Sequence, residues 1–130
     1  MYNKIDWCRI KNCPFDERKK LVIYIDELIE LKHDFEKDGI LCLENYIKSS
    51  TDMFEKVALT FIVQGYMPEL CRTMLYNLIF SSELESPTYL RYIVFAEFVL
   101  MLQKEETADY MIKIILLSYL GISCADEFLK

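Results

Sequence analysis

The stretch "DMFEKVALTFIVQGYMPEL", Asp52–Leu70, contains the pattern that decides the fold. It reads as a helix that begins after Asp52 and stops at Gly65, followed by a second helix that begins at Pro68. An aspartate three residues before a glutamate is typical of a helix start, where its side chain accepts a hydrogen bond from the backbone. Proline is tolerated in the first turn, because the N–H there has no partner within the helix. We therefore predict a tight turn between two helices, formed by Gly65 and Pro68.

The rest of the chain repeats this organisation. The 130 residues are 53% hydrophobic and include only 3 glycines and 3 prolines, so residues that interrupt helices are scarce. Long segments with apolar residues at helical spacing predict an all-α fold. We predict one domain over residues 1–130 with about five to six helices packed as antiparallel hairpins. Residues 1–15 are expected to be an irregular N-terminal segment, and Gly39 marks a further turn as a helix cap or a kink.

A weak internal repeat is also visible. A threonine, an aromatic residue and a glycine follow each other at the same spacing in Thr51–Gly65 and in Thr107–Gly121. Two copies of a helical hairpin would produce this pattern. Chance similarity between amphipathic helices would produce it too, and both interpretations stay open here.

The charge of the chain argues against two classes of partner. The formal net charge is −6, whereas proteins that bind nucleic acids or anionic membranes present basic surfaces. The most apolar runs, residues 89–102 and 110–122, are shorter than the roughly 20 residues that cross a bilayer. We expect no nucleic-acid binding and no membrane span.

The cysteines indicate a reducing compartment. There are five of them, an odd number, and the chain opens with "MYNKIDWCRIKN", which has no apolar core of a signal peptide. Free thiols and a cytoplasmic location are the simplest interpretation.

No residue pattern points to catalysis, a metal or a cofactor. The single histidine, His33, falls on the polar side of its predicted helix and has no cysteine or histidine one turn away. Cys8 and Cys13 form one pair with no second pair, which is weak evidence for zinc. We therefore predict a non-enzymatic protein without catalytic residues, metal ligands or cofactors.

Glu97 is the one exception worth weighing. It lies within "YIVFAEFVLML", surrounded by apolar residues. A carboxylate in such a setting is either a structural partner, for example of Lys104, or part of a functional pocket. A small enzyme with a pocket around Glu97 is accordingly kept as an alternative.

The residues from Ile25 to Ile79 resemble the cytoplasmic domain of flagellar stator subunits in the MotA/TolQ/ExbB family. A first motif of that family ends in "G-L-L-A-L-E", and a second has the form "D-P-F-L…V-x-G-x-D-P-E". The matching residues are Gly39, Leu41, Leu43 and Glu44 in the first motif, and Asp52, Phe54, Val63, Gly65, Pro68 and Glu69 in the second. The match covers under half of the chain, and the family's transmembrane helices have no counterpart in it.

The resemblance implies a helical scaffold that docks another protein. In the family, an arginine and the glutamate of the first motif contact the rotor protein. Glu44 matches the glutamate, while Glu36 occupies the arginine position and Lys37 follows it. We therefore expect a protein partner, for example a flagellar motor component, to contact Glu36, Lys37 and Glu44. A helical-repeat adaptor unrelated to motility is the alternative, and assembly into homo-oligomers is left open.

Overall fold

The computed structural model describes residues 4–104 and 107–129. Over these ranges the protein is all-α and contains no strand. The helices, in chain order, are α1 (Trp7–Lys11), α2 (Phe15–Asp38), α3 (Ile40–Ser49), α4 (Met53–Val63), α5 (Pro68–Phe80), α6 (Ser86–Leu102), α7 (Asp109–Ser118) and a 3-10 helix (Ile122–Leu129).

Helix α6 is the centre of the molecule. It packs against α1, α2, α4, α5 and α7. Every residue from Ile93 to Leu102 is buried, because this segment has no polar face to present to solvent. The other helices are amphipathic and contribute one apolar face each to a single hydrophobic core, in which Leu43, Leu59, Leu75 and Leu116 are inaccessible to solvent.

Glycines form the joints between the first helices. Gly39 alone separates α2 from α3, with φ 67 and ψ −146, a backbone conformation that is open almost only to glycine. Gly65 follows the end of α4 with φ 78, and Pro68 is the first residue of α5. Asp52 precedes α4, and its side chain accepts a hydrogen bond from the backbone N–H of Glu55 at 3.0 Å.

The N-terminal region differs from the irregular segment expected for residues 1–15. It contains α1, which begins after Asp6, whose Oδ1 accepts hydrogen bonds from the backbone N–H groups of Cys8 and Arg9. The backbone N–H of Asp6 donates to the hydroxyl of Tyr89 on α6 at 2.9 Å. This tertiary contact stabilises a helix that would be too short to form alone. With α1 and the break at Gly39, the described residues contain more helices than the expected five to six.

The weak repeat has unequal helix starts. Gly65 and Gly121 both adopt positive φ, at 78 and 93. Asp52 rather than Thr51 caps α4, however, and α7 begins after Ala108 without a side-chain cap, so Thr107 does not cap it.

No helix in the described ranges combines the length and the apolar character needed to cross a membrane. All five cysteines lie in those ranges and carry free thiols. Burial raises the pKa of Cys13 and Cys124 above that of an ordinary thiol. These two side chains are therefore protonated at neutral pH and are poor nucleophiles.

Candidate functional site

A cleft opens where α2 and α3 meet at Gly39, and we call it the corner cleft. Its volume is about 570 Å³. The last turns of α2, the first residue of α3 and the end of α6 supply its lining, which consists of Lys32, Phe35, Glu36, Gly39, Ile40, Leu102 and Lys104. The cleft exists because α2 stops at Gly39 and the chain changes direction there, instead of continuing as one long helix.

The corner cleft has apolar walls that water reaches. Phe35 is half-buried and Leu102 is buried, whereas Ile40 is 42% exposed. Leu41, the next residue of α3, is 61% exposed. Two adjacent exposed aliphatic side chains beside an apolar cavity form a surface that gains free energy when it is covered.

The residues expected to contact a partner lie around this corner. Glu36, Lys37 and Glu44 are all exposed. Glu36 lines the cleft, and Glu44 lies one turn after Ile40 on α3. A continuous helix through Gly39 would have put Glu36 and Glu44 near one face. Because the helix breaks at Gly39, they lie on two different helices instead.

One edge of the cleft holds a group of charged side chains, which we call the His33 cluster: Lys32, His33, Glu36 and Asp109. The ammonium of Lys32 is 2.7 Å from Oδ1 of Asp109 and 3.1 Å from Oε2 of Glu36. Nε2 of His33 pairs with Oδ2 of Asp109. Asp109 is the first residue of α7, so the cluster joins α7 to α2.

The titration of this cluster follows from its pairing. Hydrogen bonds from Lys32 and His33 hold the pKa of Asp109 below its usual value. Burial acts to lower the pKa of Lys32, but its hydrogen bonds to Asp109 and Glu36 outweigh that effect and the pKa is raised. Lys32 is only 6% exposed, so its two carboxylate partners are what makes its burial tolerable.

Sequence reasoning missed the partner of His33. The side chain is 55% exposed, on the polar side of α2 as expected. Its partner Asp109 is distant in the chain, and no local pattern signals such a contact. The spacing of Lys32 and Glu36, which lie one turn apart with opposite charges, indicates only the ion pair within α2.

A second group of polar side chains, the Glu55 network, lies between α2, α3, α4 and α6. Glu55 is 4% exposed and accepts hydrogen bonds from the hydroxyls of Tyr24 at 2.8 Å and Tyr46 at 2.9 Å. Nη1 of Arg91 is 3.1 Å from its Oε2. Nη2 of Arg91 is 2.6 Å from Oδ2 of Asp52. Donors from three helices thus satisfy one buried carboxylate.

Glu97 is a buried carboxylate of α6 that faces α5. It is 5% exposed and accepts a hydrogen bond from the hydroxyl of Tyr76, and Nη1 of Arg72 is 3.4 Å from its Oε2. Both donors lie on α5. The sequence pattern instead suggests Lys104 as the partner of Glu97. Burial, followed by the Glu97 charge, raises the pKa of Tyr76, so this hydroxyl stays protonated and keeps donating.

Comparison of the chain with protein-family models, with curated proteins and with solved structures finds no match.

Proposed function

We propose that this protein is a non-catalytic interaction module that docks a partner protein at the corner cleft. The observation that carries this proposal is the apolar cavity between α2, α3 and α6, with Ile40 and Leu41 exposed beside it. An apolar centre surrounded by charged side chains is the usual anatomy of a protein–protein interface.

The lining also indicates the chemistry of the partner. Phe35, Ile40 and Leu102 offer an apolar surface that fits an aliphatic or aromatic side chain. Lys104, exposed two residues after the end of α6, lines the same cavity and suits an acidic group next to that side chain. The partner segment we propose therefore presents a large apolar residue flanked by an acidic one.

The alternative of an enzyme centred on Glu97 has less support. Its carboxylate is engaged by Tyr76 and Arg72 within the helix packing, and it does not line the corner cleft. A catalytic carboxylate must reach a substrate. Glu97 therefore fits a structural role better than an acid–base role.

The relationship to the stator family remains part of the proposal. Two features are compatible with this relationship: the turn at Gly65 and Pro68, and the exposure of Glu44. The antiparallel hairpins and the weak repeat that the sequence predicts are compatible with it too. On this hypothesis the partner is a flagellar motor component and the protein acts in the cytoplasm. On the alternative hypothesis it is a helical-repeat adaptor unrelated to motility, and the corner cleft keeps its role in either case.

Site-specific photocrosslinking tests the proposal. A photoreactive amino acid placed at Leu41 is expected to crosslink a partner protein in cells that make the chain naturally. Leu41 does not line the cleft itself but directly follows the lining residue Ile40. The control position is Ile23, which is 63% exposed on α2 and neither lines the cleft nor adjoins a lining residue. Crosslinks of equal yield at both positions, or none at Leu41, would contradict the proposed docking site.

A second exposed apolar surface bears on the oligomeric state, which the sequence left open. Tyr110 is 66% exposed and Ile114 is 40% exposed, one turn apart on α7. Burial of such side chains is a common driving force for self-association. Sedimentation of the wild type against Tyr110→Lys tests this: a dimer that the substitution dissociates supports association through α7, and two monomeric samples exclude it.

A further inference from the structure

We propose that His33, Glu36 and Asp109 form a binding site for a zinc ion that fastens α7 to α2. One ligand atom from each of the three side chains lies within 4.8 Å of the other two. An imidazole nitrogen and two carboxylate oxygens are ligands that Zn²⁺ accepts, with water in the remaining position. No cysteine or histidine lies one turn from His33 in the sequence, and two carboxylates supply the further ligands instead.

The backbone places the three ligands on two packed helices. His33 and Glu36 are three residues apart on α2, so they project from one face. Asp109 begins α7, which packs against α2. Ligand atoms around a tetrahedral zinc ion are about 3.4 Å apart, given zinc–ligand distances of about 2.1 Å. The ligand atoms therefore have to approach one another from separations of up to 4.8 Å. Small rotations of the three side chains can achieve this, since each is at least 43% exposed.

Lys32 orients two of the ligands. Its buried ammonium donates to Oδ1 of Asp109 and to Oε2 of Glu36, which holds both carboxylates beside His33. Such outer partners commonly fix the position of metal ligands. With a neutral imidazole, two carboxylates and one ammonium leave a net charge of −1 to attract a cation. The lysine charge also opposes the ion, so we expect binding weaker than at a site without a nearby cation.

Zinc would take the place of the hydrogen bond between His33 and Asp109. In the metal-free protein, Nε2 of His33 pairs with Oδ2 of Asp109. Zinc binding requires the lone pair of Nε2, so the hydrogen of the neutral imidazole is carried by Nδ1 when the zinc–nitrogen bond forms. The exchange involves no oxidation or reduction.

Zinc titration of the full chain tests this inference. The background is Cys8→Ser, which removes the exposed thiol. Calorimetry should show one ion per chain, with affinity reduced more than about tenfold, about 1.4 kcal/mol, in His33→Asn and in Asp109→Asn. Glu27→Gln, an exposed carboxylate on α2 outside the cluster, serves as control and should bind as the parent does.

A spectroscopic measurement keeps the test valid if a variant folds poorly. The chain contains one histidine, so its imidazole NMR signals report on His33 alone. Stoichiometric Zn²⁺ should shift these signals in the parent protein. Unshifted signals, no heat of binding, or equal affinity in His33→Asn would overturn the zinc site. The experiment uses no partner protein, so its outcome is independent of the docking proposal.

Discussion

Single residues decide where the helices stop. Gly65 has φ 78, and a Cβ atom added there would meet no other atom within 4 Å. The requirement for glycine at this joint is therefore conformational and not steric. Gly121, by contrast, lies so close to Arg18 that an added Cβ would be 3.0 Å from its Nη1, which adds crowding to the strain.

A substitution at Gly65 measures this requirement. Gly65→Val should lower the free energy of unfolding by about 1 kcal/mol or more, because a β-branched residue is strained at positive φ. Gly65→Asn should cost less, since asparagine tolerates the left-handed conformation. Denaturant unfolding of both variants provides the comparison. Equal stability of the valine variant and the wild type would show that the joint can relax without glycine.

At the scale of helices, buried carboxylates join different helices to one another. Glu55 connects α4 to α2, α3 and α6, and Glu97 connects α6 to α5. A buried carboxylate without donors would be costly, so the helices must pack in the arrangement that supplies those donors. This makes the polar contacts specific to one packing, while the apolar side chains around α6 provide most of the driving force.

Removing Arg91, the cation that Asp52 and Glu55 share, tests how much stability these ion pairs contribute. Arg91→Met leaves Asp52 and Glu55 without their guanidinium partner, and we expect a loss of about 3 kcal/mol of stability, the usual cost of breaking a buried ion pair. Tyr46→Phe removes one of several donors to Glu55 and should cost about 1 to 2 kcal/mol. Chemical denaturation of both variants measures the order. A larger loss for Tyr46→Phe than for Arg91→Met would mean that the hydroxyl, not the ion pair, holds the network.

Local sequence patterns predict the helices well but not these contacts. The capping residue Asp52, the stop at Gly65 and the start at Pro68 all follow from nearby residues, and so does the buried character of the segment around Glu97. The partners of Glu97 and His33 lie far away in the chain, on α5 and α7. No spacing rule signals such pairs, because the three-dimensional packing of helices creates them. The sequence did not predict the short helix α1 for the same reason. Its start is held by a hydrogen bond from the backbone N–H of Asp6 to the distant Tyr89.

Across the whole molecule, one buried and two half-buried tyrosines predict that stability is lost at alkaline pH. Burial raises the pKa of Tyr24, Tyr46 and Tyr76, and the charge of Glu55 or Glu97 raises each further. A pKa raised in the folded state gives stability that is fully present below the unfolded value of about 10 and is lost as pH rises through the folded pKa.

A spectroscopic titration of the tyrosines tests whether stability is lost as pH rises. Tyrosinate absorbance from these three side chains should stay absent above pH about 10 until circular dichroism shows unfolding. Full ionisation of all tyrosines with the helical signal intact would contradict the buried hydrogen bonds.

The charges at the α2–α3 corner bear on how a partner approaches. Exposed charges steer association more than they hold a complex together. Glu36→Lys combined with Glu44→Lys should change the rate of association and its salt dependence, with a change in binding free energy of about 1 kcal/mol at most. Stopped-flow mixing at two salt concentrations resolves this. Unchanged rates would mean that both glutamates only solvate the surface.

The most direct test of the docking claim is the affinity of the photocrosslinked partner for Ile40→Asp compared with Ile23→Asp. Both isoleucines are exposed, and an aspartate at the first position of α3 is favourable for the helix, so the fold should survive. We predict that Ile40→Asp weakens binding by more than about tenfold, about 1.4 kcal/mol, while Ile23→Asp leaves it within about twofold. Wild-type affinity in Ile40→Asp, or equal weakening in both variants, would contradict docking at the corner cleft.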